Sequence, residues 1–91
     1  MDLNQLRGKI DEIDGELVRL FCRRMNVAAD IAAYKKEHNL PILVPAREAE
    51  KLQDVARKAG PEMAEYVTEL YTTLFRLSRE YQASKNEEVS L

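Results

Sequence analysis

Arg24, Lys35 and Arg47, with Arg7 farther off, are cations that fall on or beside apolar helical faces in this sequence. Glu48 and the one-turn pair Ser78 and Gln82 accompany them. Fixed guanidinium and ammonium groups can hold carboxylates and steady negative charge that develops during a reaction. Material for other reaction classes is scarce. The only histidine, His38, lies at an expected helix end, and no cysteine or carboxylate cluster has metal-ligand spacing, so neither a zinc site nor a Ser-His-Asp relay is expected. There is no glycine-rich phosphate loop. Cys22, the only cysteine, falls opposite the apolar seam and reads as a small packing residue rather than a nucleophile.

Placing these groups requires a long helix from Leu3 to about His38. Leu3, Leu6, Ile10, Ile13, Leu17, Leu20, Val27, Ile31 and Tyr34 recur in a three-four alternation and share one stripe. Arg24 occupies the position on that stripe where a hydrophobe is expected. A guanidinium on a buried seam is costly unless an anion meets it, although a single polar seam residue can also serve only to fix register. Lys35 follows Arg24 by three helical turns, which returns it to within ~20° of the same face about 16 Å along the axis. The two long side chains could bracket one small ligand. Lys36 and Arg23 are displaced by ~100° from these positions. Arg7 lies ~25 Å from Arg24 along the helix and could reach the same ligand only from an antiparallel partner chain.

The 91 residues are 45% hydrophobic and 33% charged, with three glycines and three prolines, the profile of one small soluble helical domain spanning residues 1–91. A net charge of −2 argues against nucleic acid or an anionic membrane surface as the main partner, so any basic site must be local. No apolar run approaches the ~20 residues of a membrane span. With no secretory signal pattern and no disulfide framework, a cytoplasmic setting is expected. A helix of this length would be about 54 Å long, against a radius of gyration of ~12 Å for a compact chain of this size. The remaining residues could cover only part of its stripe, so a dimer is expected, with two long helices packed antiparallel.

The rest of the chain follows in order. Asp2 and Gln5 have capping-box spacing, and Asp11, Glu12, Asp14 and Glu16 keep acid in the first half of the helix. Gly8, Gly15, Cys22 and Ala29 recur every seven residues on another face, either admitting a close neighbour or sitting as tolerated surface positions. From Val18 onward Met25, Ala28, Ala29, Ala32 and Ala33 thin the polar face, as expected of a half covered on several sides. Asn39 is the expected C-cap, and the prolines of Leu40-Pro41-Ile42-Leu43-Val44-Pro45 bar continuation. Pro45 opens a second helix to Ala59 that buries Leu52, Val55, Ala56 and Ala59, with Glu48 one turn earlier on that face. Gly60-Pro61 stops it and starts a third helix with the stripe Met63, Val67, Leu70, Leu74, Leu77 and Tyr81, ending near Ser84. Residues Lys85 to Leu91 are expected to fray.

The runs LRGKIDEID from Leu6, CRRMNVAADIAAYK ending at Lys35, Pro41 with ARE at Ala46 to Glu48, and LSREYQ from Leu77 to Gln82 together resemble the all-helical class of chorismate mutases. Order, spacing and three-helix layout agree over nearly the whole chain. The resemblance implies an all-α fold of one long and two shorter helices in an intertwined homodimer, with two active sites, no cofactor and no metal. It implies conversion of chorismate to prephenate in phenylalanine and tyrosine biosynthesis. Arg24 and Arg47 would bind the substrate carboxylates, helped by Ser78 and by Arg7 of the partner chain. Lys35 and Gln82 would donate to the ether oxygen, and Glu48 would accept from the ring hydroxyl. Val44 departs from the acidic residue that many members carry there; its backbone N–H could serve in place of that side chain. Two alternatives stand beside this expectation: an isochorismate-pyruvate lyase of the same fold, and a non-catalytic helical dimer or regulatory module.

Overall fold

The computed structural model describes residues 1–90, with side chains through Asn86. It is all-helical: α1 runs over Leu3–Glu37, α2 over Pro45–Ala59 and α3 over Ala64–Ser90, with no strand among the described residues. The capping box at the start of α1 is closed on both sides. The Gln5 N–H donates to the Asp2 carboxylate at 2.8 Å and the Asp2 N–H donates to the Gln5 side chain at 3.0 Å. α1 ends one residue earlier than expected. His38 is the C-cap, with its N–H donating to Tyr34 O at 3.1 Å, and Asn39 lies just beyond it in the left-handed region at φ 56°. That conformation is one asparagine tolerates better than most residues.

Pro45 takes the first position of α2, and Gly60 at φ 87° ends it, as the sequence implies. Val55 is buried there, with Leu52, Ala56 and Ala59 partly covered. Pro61 does not open α3 directly. Residues 61–63 form a turn, closed by the Met63 N–H on Gly60 O at 3.2 Å, and helix begins at Ala64. α3 also outruns the expected end at Ser84. No glycine or proline interrupts it, and Lys36 Nζ donates to Asn86 O at 2.8 Å, tying this stretch to α1 instead of leaving it frayed.

The most deeply buried line of α3 lies beside the apolar stripe, whose Val67, Leu74, Leu77 and Tyr81 are half-buried. Met63 and Leu70 are about half exposed, and the buried side chains are Phe75, Ser78 and Gln82, about a quarter-turn round the helix. The reason lies on α1, where Ala28 and Ala32 are the buried positions: their small side chains let α3 approach closely enough to enclose the Ser78 line. α3 packs against both α1 and α2, whereas α1 and α2 do not pack on each other.

The long stripe of α1 is uncovered within the chain. Its apolar residues range from 45% exposed at Ile31 to 60% at Leu3, and every residue from Met1 to Arg23 is exposed. Nothing lies within 4 Å of a Cβ placed on Gly8 or Gly15. The surface area, 7225 Å², exceeds by about 1,800 Å² what a compact chain of this mass presents. The radius of gyration is 16.4 Å and the longest extent 53 Å.

On the outer side of α2, Asp54 is surrounded by Arg57 at 2.8 Å, Lys58 at 3.0 Å and Lys51 at 3.6 Å. The hydrogen bond from Lys58, aided by the three positive charges against a smaller opposing effect of burial, holds its carboxyl below the ordinary 3.8. A carboxyl lowered by folding contributes stability that is present above its unfolded value and is lost as pH falls through its folded value. Asp54→Asn is therefore expected to lower the thermal midpoint at pH 7, with the gap from the parent closing as pH drops below about 3.8. Parallel melting curves across that range check the sign.

Candidate active site

Between α1 and α2, with α3 behind them, lies a cavity of about 490 Å³. α1 supplies Arg24 and Lys35 to its lining, three turns apart. The α1–α2 connection supplies Ile42 and Val44, and the first turn of α2 supplies Arg47 and Glu48. The inward line of α3 supplies Phe75, Ser78 and Gln82. Seven of the eight residues singled out from the sequence thus line one cavity. The eighth, Arg7, sits on the projecting half of α1 and does not reach it within one chain.

Each wall fixes its groups by a different device. Arg24 donates from Nη1 to Ser78 Oγ at 2.9 Å, with its guanidinium 5.8 Å from the ring centroids of Tyr71 and Phe75, contacts that restrict a flexible side chain without neutralising it. Ser78 in turn donates to Met25 Sδ at 3.8 Å. Lys35 is held from the other end of the cavity. Its carbonyl accepts from the Leu40 N–H at 2.7 Å, closing the helix end, and its Nζ donates to Ile42 O at 2.9 Å, drawing the ammonium over the connection. Two of the three ammonium protons stay available. Neither Arg24 nor Lys35 has an acidic partner among the described residues.

Gln82 is only 8% exposed, yet its amide makes no hydrogen bond among the described residues and faces the cavity. No buried side-chain nitrogen or oxygen among the described residues lacks a partner, so the Gln82 amide, unbonded within the chain, is open to the cavity with its donor and acceptor available there. Val44 caps α2 without a side-chain hydrogen bond; its carbonyl accepts from the Arg47 and Glu48 N–H groups at 3.1 and 3.2 Å, and its own N–H has no partner among the described residues. Arg47 stands at the rim and reaches Glu50 at 3.3 Å.

Two charged residues of the lining, Lys51 and Arg79, are not among those the sequence points to. Arg79 Nη1 donates to Glu48 Oε2 across the α2–α3 contact at 2.5 Å. No periodic signal links positions so far apart in sequence. Lys51 lies one turn after Arg47 on α2, and that spacing could have placed it beside the site. The lining holds five basic residues against one acid, Glu48, in a chain whose net charge is −2. Such an enclosure suits a small dianion, with an ammonium and an amide N–H converging on one part of it.

Residues 6–83 match the family described as chorismate mutase type II. The chain belongs to the type II chorismate mutase family. Among known proteins it is 37% identical over 86 residues to the T-protein of Haemophilus influenzae, an alignment covering 93% of this chain and 22% of that protein. It is 41% identical over 46 residues to the chorismate mutase of Methanocaldococcus jannaschii, covering 50% of this chain and 46% of the other. It is also 37% identical over 46 residues to the 4-amino-4-deoxychorismate mutase of Streptomyces venezuelae, covering 50% and 45% respectively. The chain thus spans about a fifth of the T-protein and about half of the other two relatives. No helix among the described residues is long and apolar enough to cross a membrane.

Proposed function

We propose that this chain, as one helical domain over residues 1–91, is a chorismate mutase that converts chorismate to prephenate in phenylalanine and tyrosine biosynthesis. One observation carries the reading: Lys35 and Arg24, both without acidic partners, share a cavity with the unengaged amide of Gln82. Membership of the type II family supports it. The rearrangement is unimolecular, so it asks for no nucleophile, general base, metal or cofactor. It asks for two things: a flexible dianion held compactly enough for the new carbon–carbon bond to form, and stabilisation of the negative charge that grows on the ether oxygen as the old bond breaks.

In this proposal Arg24 and Arg47 bind the two carboxylates, with Ser78 orienting Arg24. Lys35 and Gln82 donate to the ether oxygen, Glu48 accepts from the ring hydroxyl, and the free N–H of Val44 adds a donor at the rim. Arg7 enters from a second copy in an intertwined homodimer. The uncovered stripe of α1 supports that arrangement, because the excess surface of about 1,800 Å² is more than twice the ~800 Å² per partner of a standard interface. The exposed free thiol of Cys22 fits a reducing compartment, and the proposal includes a cytoplasmic setting.

The test is the loss of chorismate ultraviolet absorbance on addition of purified protein, with the product identified after acid treatment. Formation of prephenate is the expected result. Release of pyruvate from isochorismate, with no action on chorismate, would replace this reading with the lyase. Inactivity on both would leave a non-catalytic helical dimer.

A further inference from the structure

The ion pair between Arg79 on α3 and Glu48 on α2 bears on which substrate the cavity accepts. We propose that Arg79 is a specificity-determining residue that makes the site accept a ring carrying a neutral hydroxyl opposite Glu48 and reject the same ring carrying a protonated amine there. The inference rests on the mutase reading, in which Glu48 meets that ring substituent.

Glu48 is part-buried, and its Oε2 accepts from Arg79 Nη1. Its Oε1 makes no hydrogen bond among the described residues. A hydroxyl needs only that free oxygen, and donating to a carboxylate gives it a charge-assisted hydrogen bond whether or not the other oxygen is paired. An ammonium is different, since its gain over a hydroxyl comes from net charge. Beside Glu48 alone it would be attracted strongly. Beside a closed Glu48–Arg79 pair, attraction to one partner is largely cancelled by repulsion from the other. The ammonium must also give up water to enter, a cost that the paired carboxylate does not offset. Arg79 thus acts on the substrate through charge, without needing to touch the bonds that form and break.

The experiment compares kcat/KM for chorismate and for 4-amino-4-deoxychorismate in the parent protein, Arg79→Gln, Arg79→Lys and Glu48→Gln. The ratio of the two substrates is the readout, because damage to folding or to the dimer lowers both rates and leaves their ratio unmoved. The parent is expected to favour the hydroxyl substrate. Arg79→Gln should move the ratio at least about tenfold toward the amine, the factor that about 1.4 kcal/mol of altered charge interaction produces. Arg79→Lys keeps the charge and should stay within about threefold of the parent, well short of one tenfold step. Glu48→Gln leaves Arg79 unopposed and should move the ratio the other way. An unchanged ratio in Arg79→Gln, or equal shifts in Arg79→Gln and Arg79→Lys, would overturn the proposal. A parent protein active on chorismate with an unmoved ratio defeats this inference alone, whereas a parent inactive on both substrates defeats the mutase reading and this inference with it.

Discussion

Replacing Lys35 with alanine is expected to lower kcat by about three orders of magnitude while KM changes far less, since removal of one preorganised donor to a developing oxyanion costs on the order of 10²–10³ and this donor also carries a full charge. In the ground state the ether oxygen is a weak acceptor. Charge accumulates on it only as the bond breaks, so the ammonium contributes mainly in the transition state. The site is built for that contrast: Nζ is already fixed by Ile42 O at 2.9 Å, so little reorganisation accompanies the reaction. Lys35→Arg should recover little, because a planar fork cannot occupy the place of a compact ammonium held on one carbonyl. Circular dichroism and sedimentation should show the alanine variant to be as helical and as associated as the parent. A kcat within tenfold of the parent would remove Lys35 from the proposed chemistry.

The second large effect concerns the half of α1 that the chain leaves bare. If the site is completed by Arg7 of a partner copy, Arg7→Ala and Arg24→Ala should each be nearly inactive alone. Mixed in equal amounts and allowed to exchange subunits, they should regain about a quarter of parental activity, since half of the dimers are then mixed and each has one intact site of two. The intact site takes Arg24 from one chain and Arg7 from the other. Within a single chain the two positions are separated by about 25 Å of uninterrupted helix. No recovery on mixing, with exchange verified by mass, would show that Arg7 takes no part in a shared site.

The helices were legible because their signals are local. The Asp2–Gln5 box, Pro45 at the start of α2 and Gly60 at its end act within a few residues, and the α1 stripe is one unbroken pattern. What the sequence hid depends on which face of a helix meets which neighbour. The apolar line of α3 promised Met63 and Leu70 as core, yet the buried line contains Ser78 and Gln82, since the alanines of α1 receive that side and polar residues there serve the cavity. Hydrophobic periodicity locates the neighbouring half-buried stripe but not a buried line that carries polar side chains. Of the seven chosen site residues that meet in one cavity, Arg24, Lys35 and Arg47 are conspicuous as cations on or beside apolar faces, whereas Val44, Glu48, Ser78 and Gln82 take their expected roles from the family resemblance. Arg79 escaped notice because it looks like any helical surface arginine until its partner on α2 is known. Polarity alone points to fraying from Lys85 onward, whereas the backbone is helical through Ser90 and Lys36 reaches Asn86; Leu91 lies outside the described residues.

The two walls of the cavity, α1 and α2, do not pack on each other; apart from the short connection that links them, they are held together through α3. A dianion spanning Arg24 on one wall and Arg47 on the other would supply the contact that the chain itself lacks. Its binding energy then appears as resistance to unfolding, about 2.7 kcal/mol at a ligand concentration one hundred times Kd. For a chain whose buried apolar residues, among those described, are Ala28, Ala32, Val55 and Phe75, that is a large share of the total. Proteolysis tracks the population of opened molecules when reclosing is fast. The cellular lifetime of such a protein would therefore rise and fall with the supply of the anion it holds, without any dedicated sensor.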